Sequence, residues 1–123
     1  MSIRCLIVDD NESFLGVARE LLEQEGLNVA GVASTTSDAL RQVELLRPNV
    51  VLVDIFLGDE SGIDLARRLT ENGLTGGATV ILISTHAETD VADLIASSPA
   101  AGFVPKADLS ASAIRRIVNG RVG

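Results

Sequence analysis

The chain has no tryptophan and no tyrosine, and only three phenylalanines among its 123 residues. So few flat rings leave little for nucleic-acid bases to stack on. Positive charge is also scarce: 10 Lys and Arg face 17 Asp and Glu, for a net charge of −7. A surface of that sign repels a phosphate backbone, so no direct nucleic-acid partner is expected. The single cysteine, Cys5, cannot close an internal disulfide, which fits a reducing cytoplasm. No apolar run reaches membrane-spanning length, and Met1-Ser2-Ile3-Arg4 lacks a signal-peptide pattern. A cytoplasmic location without membrane contact follows as the expectation. Repeats, linkers and low-complexity tails are absent too. With 46% hydrophobic and 22% charged residues, the chain reads as one globular domain over 1–123, its core at about 3–118.

What is present is an alternation of short apolar runs and amphipathic stretches. Arg4 to Val8 reads as a strand. Asp9-Asp10-Asn11 then turns into a helix with Phe14, Val17, Ala18, Leu21 and Leu22 inward, stopped by Gly26. Asn28 to Ala33 is a weaker strand. Hydroxyl caps within Ser34 to Ser37 start a helix with Ala39, Val43 and Leu46 inward, ended by Pro48. Val50-Val51-Leu52-Val53-Asp54 reads as a strand covered on both faces and closed by a carboxylate, followed by the loop Ile55 to Gly58.

A third helix buries Ile63, Leu65, Ala66 and Leu69 and turns Arg67 and Arg68 outward, before the Gly-rich loop Asn72 to Gly77. Thr79 to Ile83 is another buried strand, ending on Ser84-Thr85. Thr85-His86-Ala87-Glu88 fits a capping box for a helix carrying Val91, Leu94 and Ile95. Ala101 to Val104 is a short last strand and Pro105-Lys106-Ala107 a turn. Asp108 is placed to cap a final helix burying Leu109, Ala113, Ile117 and Val118. Such strict alternation predicts an α/β fold: a doubly wound five-stranded parallel sheet with five helices on its two faces.

In that fold the strand ends meet at one edge, which brings Asp9, Asp10, Asp54, Ser84 and Lys106 together. Each has a plain alternative: Asp9-Asp10 as a turn and helix start, Lys106 as a solvated turn lysine. Clustered carboxylates, however, call for a cation or a proton, and oxygen ligands of this kind suit Mg²⁺. His86 is a lone loop histidine with no partner apparent from the sequence, and no role is assigned to it.

The order and spacing of the acidic pair Asp9-Asp10, Asp54 closing the third strand, Gly62 eight positions on, Ser84 closing the fourth, and Phe103 three before Lys106 are specific. From Ile3 to about Val118 the chain resembles the receiver (phosphoacceptor) domain of two-component response regulators. The resemblance implies a flavodoxin-like sheet of order 2-1-3-4-5. It also implies Mg²⁺-dependent acceptance of a phosphoryl group by Asp54 from a sensor histidine kinase or phosphotransfer protein. Asp10 and Asp54 would ligate Mg²⁺ directly, Asp9 partly through water, and Phe56 through its carbonyl. Lys106 would share the phosphoryl oxygens and Ser84 would donate its hydroxyl. Phe103 would then swing inward and alter the face of the last two helices, where an output protein of unknown identity or a second copy would bind. Such a domain is a signalling element, with self-catalysed phosphoryl transfer and autodephosphorylation but no enzyme activity of its own.

Three departures from the family pattern stand out. Gly58 occupies a frequent proline position. Ala107 replaces a proline that is often cis, so Lys106–Ala107 is expected to be trans. Thr85 is larger than the usual Ala or Gly and is expected to shield an acyl phosphate from water. The runner-up reading is a Mg²⁺-dependent phosphatase with an aspartyl nucleophile; it wants a second Asp where Phe56 stands. A flavin module would need a phosphate-cradling loop where Asp9-Asp10-Asn11 repels phosphate. No DNA-binding or catalytic module follows Val118, so the expectation is a regulator of another protein or a fragment.

Overall fold

The structure, a computed structural model, describes residues 3–71 and 77–120. Five parallel strands build one sheet: β1 (Arg4–Val8), β2 (Asn28–Ala33), β3 (Val50–Asp54), β6 (Thr79–Ser84) and β7 (Gly102–Pro105), in the order β2-β1-β3-β6-β7. Counted along this sheet alone, that is the expected order 2-1-3-4-5. Between β3 and β6, β4 (Phe56–Leu57) and β5 (Glu60–Ser61) form a small antiparallel hairpin. The five helices are α1 (Glu12–Gln24), α2 (Thr36–Leu46), α3 (Gly62–Glu71), α4 (Ala92–Ala96) and α5 (Ala111–Gly120).

Side-chain alternation along the strands divides the core. Leu6, Val8, Val51, Val53, Val80 and Leu82 face one way, onto Ala39 and Val43 of α2 and Leu65, Ala66 and Leu69 of α3. Cys5, Ile7, Val50, Leu52, Ile81 and Ile83 face the other way, onto Leu15, Ala18 and Leu22 of α1 and Ile114 of α5. Both faces are covered, which is why these strands are continuous apolar runs instead of alternating ones. Burial raises the Cys5 thiol to about 12, so it stays a neutral core group.

Several local expectations are corrected. Val17 is 66% exposed, and Leu15 takes the inward place on α1. The stretch after β6 does not use Thr85 as a cap. A 3-10 turn, Glu88–Val91, begins after Ala87 with no side-chain bond, and only then does α4 start. Val91 is buried, but Leu94 is 37% exposed. Asp108 lies in a second 3-10 turn, Lys106–Asp108, and the α5 start is bound instead by Ser110, whose hydroxyl accepts from the Ala113 amide. Ile114 is the fully buried residue of α5, while Ala113, Ile117 and Val118 are half-buried. The last strand includes Pro105, tolerated because β7 is an edge strand. The loop expected over Asn72 to Gly77 lies outside the described residues up to 76. No cis peptide occurs among the described residues, so Lys106–Ala107 is trans.

Candidate functional site

Register places the site. β1 is flanked by β2 on one side and β3 on the other, so the chain reverses its winding between β1 and β3 and leaves a crevice beyond their carboxyl ends. Val8 pairs with Val53, so Asp9 and Asp54 leave the sheet at the same level. Asp54 pairs with Ile83, and Ser84 pairs with Pro105, which sets Lys106 just past the same edge.

Local turns then fix the side chains. Asp9 is fully buried, and its Oδ1 accepts the Asn11 amide at 2.9 Å. Asn11 in turn caps α1 by accepting from the Phe14 amide at 3.1 Å. Asp10, not needed for either bond, remains exposed at the mouth. Asp54 is 6% exposed, and its Oδ1 accepts the Phe56 amide at 3.2 Å. Behind Asp54, Gly62 lies so close that a Cβ there would come within 1.9 Å of the Asp54 carbonyl oxygen. Only glycine permits that approach. Gly58 opens the two-residue turn of the β4–β5 hairpin with φ +61, the conformation a hairpin turn asks of its first residue, and faces Asp10 Oδ2.

The Lys106 ammonium lies between the two buried acids, 2.6 Å from Asp9 Oδ2 and 3.2 Å from Asp54 Oδ2. It also sits 4.4 Å above the centre of the Phe14 ring. Lys106 is the one lysine of the chain. Burial alone would lower its pKa, but the Asp9 and Asp54 carboxylates outweigh that and hold it above the ordinary value. Asp54 is pushed up, first by burial and then by the Asp9 charge, with Lys106 and the Phe56 amide only partly offsetting them.

Asp9, Asp10 and Asp54 each offer an oxygen within 4.8 Å of the others. Three carboxylates against one ammonium leave a formal excess of two negative charges in this small volume. Asp9 Oδ2 is buried without a well-aligned hydrogen bond. Hard oxygen donors, two surplus charges and an exposed mouth together fit a divalent cation that keeps part of its water shell.

Ser84 is buried at the end of β6, yet its hydroxyl is turned to His86. Oγ accepts the His86 amide at 3.0 Å and lies 3.2 Å from His86 Nδ1. The His86 ring packs on Phe56, with centroids 5.0 Å apart. His86 therefore does have partners, contrary to the expectation from sequence. The turn that swings it back after β6 left no periodicity to read. Helical spacing marks Phe14 as a core residue and carries no sign of its place under Lys106. Phe103 is half-buried on β7 against the α2–α3 side of the core.

Residues 5–119 match the response regulator receiver domain family. The chain belongs to that family. This receiver is 28% identical over 123 residues to the response regulator UvrY of Escherichia coli, covering 97% of this chain and 56% of that protein. The same figures hold for the response regulator GacA of Pseudomonas aeruginosa. It thus spans little more than half the length of these curated relatives. Among solved structures, a CheY-like receiver domain protein from Methanospirillum hungatei JF-1 superposes with a TM-score of 0.78 at 26% identity, over 98% of this chain and 94% of that one. The signal receiver domain of a modulated diguanylate cyclase from Desulfovibrio desulfuricans G20 gives 0.79 at 26% identity, over 98% and 93%. The fold is therefore the flavodoxin-like one of receivers. Among the described residues no helix is long and apolar enough to cross a membrane.

Proposed function

We propose that this receiver accepts a phosphoryl group on Asp54 from the phosphohistidine of a sensor kinase or phosphotransfer protein, and that the modification switches its contacts with another protein. The supporting observation is the Asp54 carboxylate at the end of the central strand, 3.2 Å from the Lys106 ammonium and grouped with Asp9 and Asp10. An Asp54 oxygen attacks phosphorus and the phosphorus–nitrogen bond to the donor histidine breaks. The imidazole keeps the electron pair and takes up a proton, and Asp54 carries an acyl phosphate. Such a transfer depends on positioning and charge more than on covalent help from the protein.

Lys106, already between the acids, neutralises phosphoryl oxygens. Asp10 and Asp54, with Asp9 partly through water and the Phe56 carbonyl, would hold Mg²⁺, which supplies positive charge to the transferring oxygens. Ser84 then donates its hydroxyl to the phosphoryl group. Phe103 follows inward and changes the face built by α4, β7 and α5, where an output protein or a second copy docks. We take 1–123, with its core at about 3–118, as one domain of a cytoplasmic phosphoacceptor. It has no substrate of its own beyond phosphoryl transfer and autodephosphorylation, and no direct nucleic-acid or membrane contact. An aspartyl phosphatase is less well supported, because Phe56 stands where its second acid belongs.

Incubation with Mg²⁺ and acetyl phosphate tests this reading. An acid-stable, base-labile phosphoryl adduct is expected. Label that persists in Asp54→Ala, or forms undiminished in EDTA, overturns the assignment.

A further inference from the structure

A serine hydroxyl has one proton to donate. Ser84 Oγ already accepts the His86 main-chain N–H at 3.0 Å, and the side-chain nitrogen at 3.2 Å is His86 Nδ1. With the neutral ring's proton on Nε2, Nδ1 is an acceptor and takes the Ser84 proton. Among the described residues no hydrogen bond joins Ser84 to Asp54. The His86 ring is not free to drift, because it packs on Phe56 at 5.0 Å and an interplanar angle of 55°. Phe56 in turn is tied to the acceptor site, since its amide donates to Asp54 Oδ1.

We infer that His86 is a positioning residue that competes with the phosphoryl group for the Ser84 hydroxyl and so holds the receiver in its resting arrangement. The inference rests on the Asp54 phosphoacceptor reading. While Nδ1 keeps the proton of Ser84, that hydroxyl cannot also donate to an oxygen on Asp54. Modification must therefore break one hydrogen bond to make another, and the switch is biased by the difference between them. The net worth of an ordinary hydrogen bond corresponds to a shift of roughly 2- to 12-fold in such an equilibrium.

Substitutions at His86 separate this role from simple packing, because the side chain is exposed and its replacement leaves the core intact. His86→Phe keeps a ring on Phe56 but removes the rival acceptor. His86→Asn retains an acceptor, its Oδ1, near the place of Nδ1. The probe is beryllofluoride with Mg²⁺, a stable stand-in for the phosphoryl group, titrated against amide chemical shifts of Ser84 and Val104. His86→Phe is expected to bind it roughly 3- to 10-fold more tightly than the wild type, a fraction of the range above. His86→Asn is expected to stay within about twofold. In Ser84→Ala, adding His86→Phe is expected to change nothing, since the hydroxyl under dispute is gone.

A second readout is taken on the resting protein. The ¹⁵N shifts of His86 are expected to report the Nε2–H tautomer in the wild type and a loss of that bias in Ser84→Ala. Equal binding by wild type and His86→Phe overturns the inference. So does a gain that survives in Ser84→Ala, or a ring with its proton on Nδ1. A wild type that ignores beryllofluoride at saturating Mg²⁺ overturns the phosphoacceptor reading itself, and the rivalry with it. Binding without any difference among the variants overturns the rivalry alone.

Discussion

The two sides of the acidic pocket are built differently. On one side stand β1 and β3, each with both faces covered, carrying Asp9 and Asp54 on ends that are almost wholly buried. On the other stand Ser84 and the thin elements after it: a 3-10 turn, an α4 of five residues none of which is buried, and a four-residue edge strand. The two buried acids thus sit on the part of the sheet least able to move, and Lys106 reaches them from beyond the edge strand. Ser84 itself is buried, but the elements after it, which would carry a change of charge outward, have few apolar contacts to resist movement. A receiver needs that inequality, because a rigid reporter could not respond and a loose acceptor could not hold its geometry.

The largest expected effect breaks the stiff side. Leu52→Ala leaves a cavity under the centre of the sheet and should lower unfolding free energy by about 3 kcal/mol. Leu94→Ala on α4 should change it by less than about 0.5 kcal/mol. Urea titrations of the two variants compare the sides directly; similar losses would erase the contrast.

Lys106→Met should be comparable in size. Leaving Asp9 buried beside Asp54 without its counter-charge should cost about 3 kcal/mol, the lower end for breaking a buried pair. Circular dichroism melts in EDTA measure it, and unchanged stability would mean the ammonium is not needed there. Mg²⁺ should do the reverse. At tenfold excess over its dissociation constant it should stabilise the wild type by about 1.4 kcal/mol. Asp10→Asn should remove most of that gain while leaving the fold intact, because Asp10 is exposed.

The pH dependence sharpens the electrostatic side. Asp54 is raised, so the folded state keeps its proton to higher pH than the unfolded chain does. Its contribution is therefore complete below the ordinary carboxylate range and is lost as pH rises through the folded value. In EDTA, Asp54→Asn should gain on the wild type from that range upward, and a gap that narrows instead would contradict the direction. Lys106 is also raised, so its contribution holds below the ordinary lysine value and disappears only in strong alkali. The smallest effect expected is at Thr85, exposed beside Ser84: Thr85→Ala should shorten the acyl-phosphate lifetime by about twofold. An unchanged lifetime would exclude shielding by that methyl.

The same inequality explains what could be read in the sequence. Val50 to Asp54 and Thr79 to Ser84 are continuous apolar runs, and their ends point to one edge once the alternation is seen, so a parallel sheet and the meeting of Asp9, Asp54 and Lys106 were legible, while the strand order followed only from the family resemblance. Elements defined by short turns were not. Thr85 has the chemistry of a cap, but the chain bends at Thr85 and His86, brings the His86 amide back to Ser84 Oγ, and starts its 3-10 turn only after Ala87. Asp108 failed for a similar reason, since three residues of 3-10 turn displace the α5 start to Ser110. Val17 satisfied helical spacing as well as Leu15 did, and only the packing of α1 on the sheet chose between them. His86 lies in a contact two residues long, below any periodicity.

With Lys106 the chain's one lysine, the protein carries a single ε-amine, and that amine sits between Asp9 and Asp54. Its rate of acylation by an amine-directed reagent would therefore serve as an inbuilt gauge of the pocket, slowing or quickening as its neighbours gain or lose negative charge, with no dye or tag installed.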